Sequence, residues 1–232
     1  MQLLLNLLLG NIMTAPLIPA RSLFRFSIPC LQREPIWTSA SAALDESYCL
    51  PRLGELEGAK TFADVRVAWS PQGLAFVVRV EGKKQAPWCR ESRPDDSDGL
   101  RIWLDTRDTH NVHRATRFCH QFIFMPTGGG RNLEEPVAEQ LLIHRARENA
   151  RPVRPGVLQA RREKRLDGYI LEAFIPAEAL TGFDPQEHQK LGFTYAVIDR
   201  ELGVQALSCS EEFPYREDPS VWITLELTAP VH

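Results

Sequence analysis

Between Gly99 and Met125 the apolar residues of the chain follow a period of two. Leu100, Ile102 and Leu104 fall on one side of this stretch and Arg101, Trp103 and Asp105 on the other, as successive side chains of a strand do. A polar loop from Thr106 to Ala115 follows. Phe118, His120, Phe122 and Phe124 then alternate with Cys119, Gln121, Ile123 and Met125, which predicts a neighbouring strand that is apolar on both faces. Upstream, Phe24, Phe26 and Ile28 suggest an opening strand closed by Pro29. Val65, Val67 and Trp69 share a face, Ser70 to Gly73 supply a turn, and Leu74 to Val80 return, which is a hairpin signal. Downstream, Val137 to Ile143 fits neither the strand nor the helix period, Val157 to Glu163 alternates weakly, and Tyr169 to Ile175 alternates strongly. Leu191 to Ile198, Gln205 to Ser208 and Val221 to Leu227 complete the series, and only Ala177 to Leu180 and His113 to Thr116 read as helical turns. Many short strands with scant helix predict an all-β fold, a single antiparallel β-sandwich of jelly-roll or immunoglobulin-like type.

Composition narrows the class without changing it. A chain of 232 residues with net charge -3 can bury one large core, so residues 21–232 are expected to form one domain. The slight acidity provides no global field for nucleic acid, and a nucleic-acid partner is not expected. Five scattered cysteines without a CxxC pair do not make a disulfide framework. Residues 1–20 form an apolar leader, expected to be disordered or a weak signal. No Lys or Arg precedes its run from Leu3 to Met13, and Asn6, Gly10 and Asn11 interrupt it. The run is too short to span a bilayer, so no membrane partner is expected. The balance favours the cytoplasm, with secretion following if the leader acts as a signal.

Three groups of residues invite chemistry. Asp95, Asp96 and Asp98 make an oxygen-rich loop suited to structural calcium, although the spacing lacks the EF-hand glycine and glutamate. His110, His113, Cys119 and His120 supply transition-metal ligand types, but the strand period puts Cys119 and His120 on opposite faces. Asp105, Asp108 and His113 can be drawn as the acid and base of a hydrolase, a separation that sequence does not set. Arg145, Arg147, Arg151, Arg154, Arg161, Arg162, Lys164 and Arg165 form a basic stretch without interleaved aromatics, which a charge-guarded edge strand explains. No P-loop, dinucleotide fingerprint or nucleophile elbow is present.

DSDGLRIWLD, ADVRVAWSPQGLAFVVRV, YILEAFIPAEAL, GFTYAVID and DPSVWITLEL, in that order, resemble the carbohydrate-binding modules of family nine and their wider relatives with a DOMON-like sandwich. The resemblance runs from about Ala63 onward, with insertions at Ser92 to Asp95 and around Arg145 to Arg165. It implies a saccharide held between two tryptophans, with polar groups on its hydroxyls, and a structural calcium. Trp88, after Pro87, matches the first tryptophan. Ser208-Cys209-Ser210 stands where the second is expected, and Ile123 stands where a sugar-bonding arginine is expected beside Gln121 and Phe122.

These readings converge on a non-catalytic module that binds a saccharide or similar polar ligand weakly and needs no cofactor beyond a structural calcium. The candidate ligand-binding residues are Trp88, Arg90, Arg93 and Gln121, with Phe213 and Tyr215 as a substitute for the missing platform; Asp95, Asp96 and Asp98 are the metal candidates. The alternatives are a structural or protein-interaction domain whose sugar site is lost, and the hydrolase on Asp105, Asp108 and His113.

Overall fold

The computed structural model describes residues 24–42, 44–207 and 213–229, and among them the regular structure is strands joined by 3₁₀ turns, without an α-helix. The strands are β1 (Ser27–Gln32), β2 (Ala63–Ser70), β3 (Gly73–Glu81), β4 (Gly99–Asp105), β5 (Cys119–Gly129), β6 (Glu135–Leu141), β7 (Gln159–Arg165), β8 (Gly168–Pro176), β9 (Lys190–Asp199), β10 (Gly203–Ala206) and β11 (Ile223–Thr228). They make one hydrogen-bonded sheet in the order β6-β5-β4-β9-β11-β1-β2-β3-β8-β7, with β10 paired to β9. The terminal strands β6 and β7 lie beside one another, so the sheet nearly closes like a barrel.

This refines the expected architecture in two respects. The hydrogen bonding gives one continuous sheet, and it is mixed, because β1 runs parallel to both β11 and β2. Pro29 does not close the opening strand as expected but lies within it, opposite Glu226. Phe26 accepts from the Thr224 N–H, so alternation turns Pro29 away from β11. On that other side β2 pairs only from Leu31 onward, and the missing N–H of proline leaves no ladder bond unmade.

The β2–β3 hairpin forms as its turn residues predict, with Ser70 opposite Gly73. Gly73 has φ +140, and a Cβ there would lie 2.1 Å from the Ile175 carbonyl oxygen, so the tight approach of β3 to β8 requires glycine. Val137 to Leu141, ambiguous in period, is a strand because β5 offers it a partner. The turn at Ala177–Ala179 is present, whereas His113 to Thr116 is irregular.

The alternating residues sort as the pattern implies. Leu100, Ile102, Leu104, Phe122 and Phe124 point inward and join Val65, Val67, Phe76, Leu171 and Tyr195 in the main core. The outward face of β4, β5 and β9 carries two smaller clusters beneath loops. Trp103 is fully buried there, against Tyr215, Trp222, Ile143 and Ala115, while Cys89 packs on Ile123, Met125 and Val137. Trp69 and Trp222 are both buried packing residues, as expected. β7 ends the sheet path, and its Arg161, Arg162, Lys164 and Arg165 fit the reading of an edge guarded by charge. No helix among the described residues is long and apolar enough to cross a membrane.

Candidate functional site

The strand register arranges the outward face of β4, β5, β6 and β9 in rows. One row runs Glu139, Ile123, Arg101 and Ala196, and the next runs Leu141, Gln121, Trp103 and Thr194. Two segments rim this face. The loop between β3 and β4 presents Trp88 beside Cys89, and the segment between β10 and β11 presents Phe213, Tyr215 and Arg216. Three of the sequence candidates, Gln121, Tyr215 and Trp88, therefore belong to one side of the sheet.

Trp88 is half-buried, and its surroundings are fixed by a buried carboxylate. Asp98 accepts the Trp88 N–H at 2.9 Å on Oδ2 and the Arg200 N–H at 2.8 Å on Oδ1, while the Trp88 carbonyl accepts the Asp98 N–H at 2.9 Å. The Arg200 guanidinium lies over the indole, 4.3 Å from the ring centroid, in cation–π geometry. Behind this pair the Lys83 ammonium is buried among three carboxylates, 2.5 Å from Asp199, 3.5 Å from Asp98 and 3.9 Å from Glu201. Burial pushes the Asp98 carboxyl above its ordinary pKa, opposed by the two backbone N–H groups.

Arg101 is the polar centre of the face. It is buried, its Nη2 donates to the carbonyls of Pro94 (3.1 Å) and Asp95, and its Nε is without a partner. Burial, and then the nearby Arg216 charge, depress its pKa. The Trp103 Nε1 and the Tyr215 hydroxyl are also buried without partners, and their rings meet edge to face at 5.4 Å. Glu139, one strand beyond Ile123, has its carboxyl raised by burial and by the neighbouring Glu91. Phe213 and Tyr215 line a surface cleft of about 460 Å³ with Arg145, Arg216 and Glu217. Tyr215 itself is fully buried against Trp103 and gives no free face for stacking; Phe213, partly exposed, is the more accessible ring.

The remaining candidates fall elsewhere or are otherwise engaged. Arg90 and Arg93 are exposed on the loop, where Arg93 pairs with Asp96 at 3.4 Å. Asp95, Asp96 and Asp98 do not converge, because Asp98 turns inward to Lys83 while the other two are exposed. No group of three metal-ligand side chains occurs among the described residues. Asp105 accepts the N–H groups of Arg107 and Thr109, Asp108 meets His110 at 2.9 Å and the Thr224 hydroxyl at 3.0 Å, and His113 pairs with Asp218 at 3.1 Å. The drawn hydrolase constellation is thus divided between separate partners. His120 accepts from the Thr181 N–H, apart from the other histidines. Ser208, Cys209 and Ser210 lie outside the described residues.

Sequence reasoning missed Arg101, Lys83, Asp199, Arg200 and Glu139 as members of this assembly. The strand period did put Arg101 on the Trp103 face, but nothing in it gave the depth of the guanidinium. Lys83 and Asp199 are 116 positions apart, a distance that no local pattern spans.

The fold is that of carbohydrate-binding modules of family nine. A family-nine module from Caldicellulosiruptor kristjanssonii in complex with cellotriose matches with a TM-score of 0.60 at 14% identity, over 89% of this chain and 95% of that one. A family-nine module from the same organism in complex with glucose matches with a TM-score of 0.58 at 14% identity, over 89% of this chain and 97% of that one. No protein-family model matches the chain, and no curated protein matches it in sequence.

Proposed function

We propose that this protein is a non-catalytic module that binds a saccharide on the outward face of β4, β5 and β9, between the Trp88 loop and the Phe213–Arg216 segment. The observation that carries the reading is a fold shared over nearly the whole of two modules solved with cellotriose and with glucose. The chemistry of the face supports it. Trp88 offers an aromatic surface and Glu139 a partly exposed carboxylate, and the buried Gln121 and Arg101 add, deeper on the same face, donors and acceptors of the kind that hydroxyl groups match. In this reading Trp88 stacks on the sugar, Gln121 and Arg101 bond its hydroxyls, and Phe213 closes the other side. His113, paired with Asp218 and not with Asp105 or Asp108, does not complete an acid and base pair with them, which supports binding without catalysis.

Binding is weak in this reading. Arg200 already occupies one side of the Trp88 ring, and part of Arg101 is committed to the loop carbonyls. A dissociation constant on the order of 1 mM, about -4 kcal/mol, is expected for a short glucan. Titration calorimetry with cellotriose and glucose, beside a glycan array, tests it. Saturable binding to a saccharide that Trp88→Ala removes is the expected result. A blank array with no heat at millimolar sugar would overturn the proposal in favour of a protein-interaction domain.

A further inference from the structure

We infer that Lys83 is the positioning residue of the Trp88 platform, acting through Asp98 and without touching a ligand. The inference rests on the saccharide reading for its functional meaning, but its structural content stands apart from it. Asp98 is the template of the Trp88–Arg200 stack, because its two oxygens hold the backbones of those two residues. That carboxylate is buried, as is Asp199, and two such charges near one another repel. The Lys83 ammonium stands between them, at 3.5 Å and 2.5 Å, and is itself almost fully buried. Among the described residues it is the one cation paired with both.

Through Asp199, Lys83 also joins the end of β3 to β9, which no ladder connects. Its own N–H donates to the Asp167 carbonyl at 2.8 Å, anchoring it at the β7–β8 turn. Asp199 accepts the N–H groups of Glu201 and Leu202 on its other oxygen, and Glu201 accepts those of Lys84 and Gln85. The ammonium thus fixes the turn that carries Arg200 against the loop that carries Trp88. A surface lysine would leave those two segments to find their relative position through solvent-screened contacts alone. Buried among three carboxylates, it fixes the geometry of an aromatic ring that lies a residue beyond its reach.

Without the ammonium, Asp98 and Asp199 cannot both remain charged and buried. Asp98 then takes up a proton or turns toward water, and in either case its hold on the Trp88 and Arg200 N–H groups weakens. The ring loses its set orientation while the core beneath it stays packed. A residue that served general stability alone would instead disturb every tryptophan together.

The full chain labelled with 5-fluorotryptophan tests this, since its five tryptophans give five fluorine resonances and Trp88→Phe assigns the relevant one. In Lys83→Met the Trp88 resonance is expected to shift and broaden while those of Trp69 and Trp222 stay in place. An unchanged Trp88 resonance in folded Lys83→Met overturns the inference, as does an equal disturbance of all five. Should Lys83→Met fail to fold, Asp98→Asn decides in the same way, because asparagine can accept at one oxygen only and must release Trp88 or Arg200. Cellotriose titration adds the functional arm. Affinity is expected to fall tenfold or more in Lys83→Met; undiminished affinity in Lys83→Met overturns the inference. A wild-type protein that binds no saccharide would refute the ligand reading and leave the fluorine result to decide the role of Lys83.

Discussion

Arg101 and Ile123 stand directly opposite each other across β4 and β5. In the saccharide reading, the guanidinium missing at position 123 is supplied one strand away, on the same face, by a buried side chain whose Nε has no partner. Arg101→Met is expected to lower saccharide affinity about tenfold, near 1.4 kcal/mol. Because Arg101 also holds the Pro94 and Asp95 carbonyls, stability should fall by about 1 to 3 kcal/mol. Paired calorimetric and urea titrations measure both; full affinity in a folded Arg101→Met protein would remove Arg101 from the site.

Two tryptophans should separate binding from packing. Trp69 is buried in the main core, its Nε1 donating to the Thr228 carbonyl at 2.9 Å, so Trp69→Ala should cost about 3 to 5 kcal/mol. Trp88 is half-buried on a loop, and Trp88→Ala should cost tenfold to a few hundredfold in affinity with a nearly unchanged melting temperature. A melting temperature that falls equally in both variants would make Trp88 a packing residue.

Acid should act through His120. Burial lowers its pKa to about 4 from an ordinary 6.5, and its Nε2 must remain an acceptor for the Thr181 N–H. The folded state thus disfavours the charged ring. Stability is fully present above pH 6.5 and is lost as pH falls toward 4, by roughly 3 kcal/mol over that window. His120→Gln, whose side-chain oxygen can accept the same bond, should flatten the profile. Urea denaturation at steps of pH between 4 and 7 checks it, and an equally steep loss in the variant would assign the acid sensitivity to other groups.

Gly99 links the buried Asp98 to β4. Its φ is +147, and a Cβ there would lie 2.2 Å from the Phe124 carbonyl oxygen. Gly99→Ala is expected to cost about 3 kcal/mol or more, combining backbone strain with displaced β4–β5 pairing. Chemical denaturation measures this; a loss below about 1 kcal/mol would show that the strands can part without penalty.

The fold was legible where side chains alternate cleanly. Leu100 to Asp105 and Tyr169 to Ile175 have a period of two because one face of each strand is main core and the other packs in a smaller outer cluster, around Trp103 for the first and Phe174 for the second. The parallel joining of β1 was not legible, since pairing direction leaves no mark on a six-residue pattern. The site was read in part. Trp88 and Gln121 could be placed from their neighbours in sequence, but the engagement of Asp98 by Lys83 depends on a contact between distant loops. The three aspartates are neighbours in sequence, but the burial of Asp98 and the exposure of Asp95 and Asp96 are set by the fold.

The parallel seam at β1 has a mechanical consequence. β1 meets β11 along five positions from Ser27 to Leu31, but meets β2 only at Leu31 and Gln32. The sheet therefore has a fault line, with β2, β3, β7 and β8 on one leaf and β4, β5, β6, β9 and β11 on the other. Besides the core and the β6–β7 approach, side-chain rivets span it: Gln205, bonded to the Phe62 and Ala63 backbone, Trp69 on Thr228, and Lys83 on Asp199. Amide exchange should accordingly begin along this line. The leaf bearing β4, β5 and β9 can then stay closed while the other breathes, provided the rivets hold.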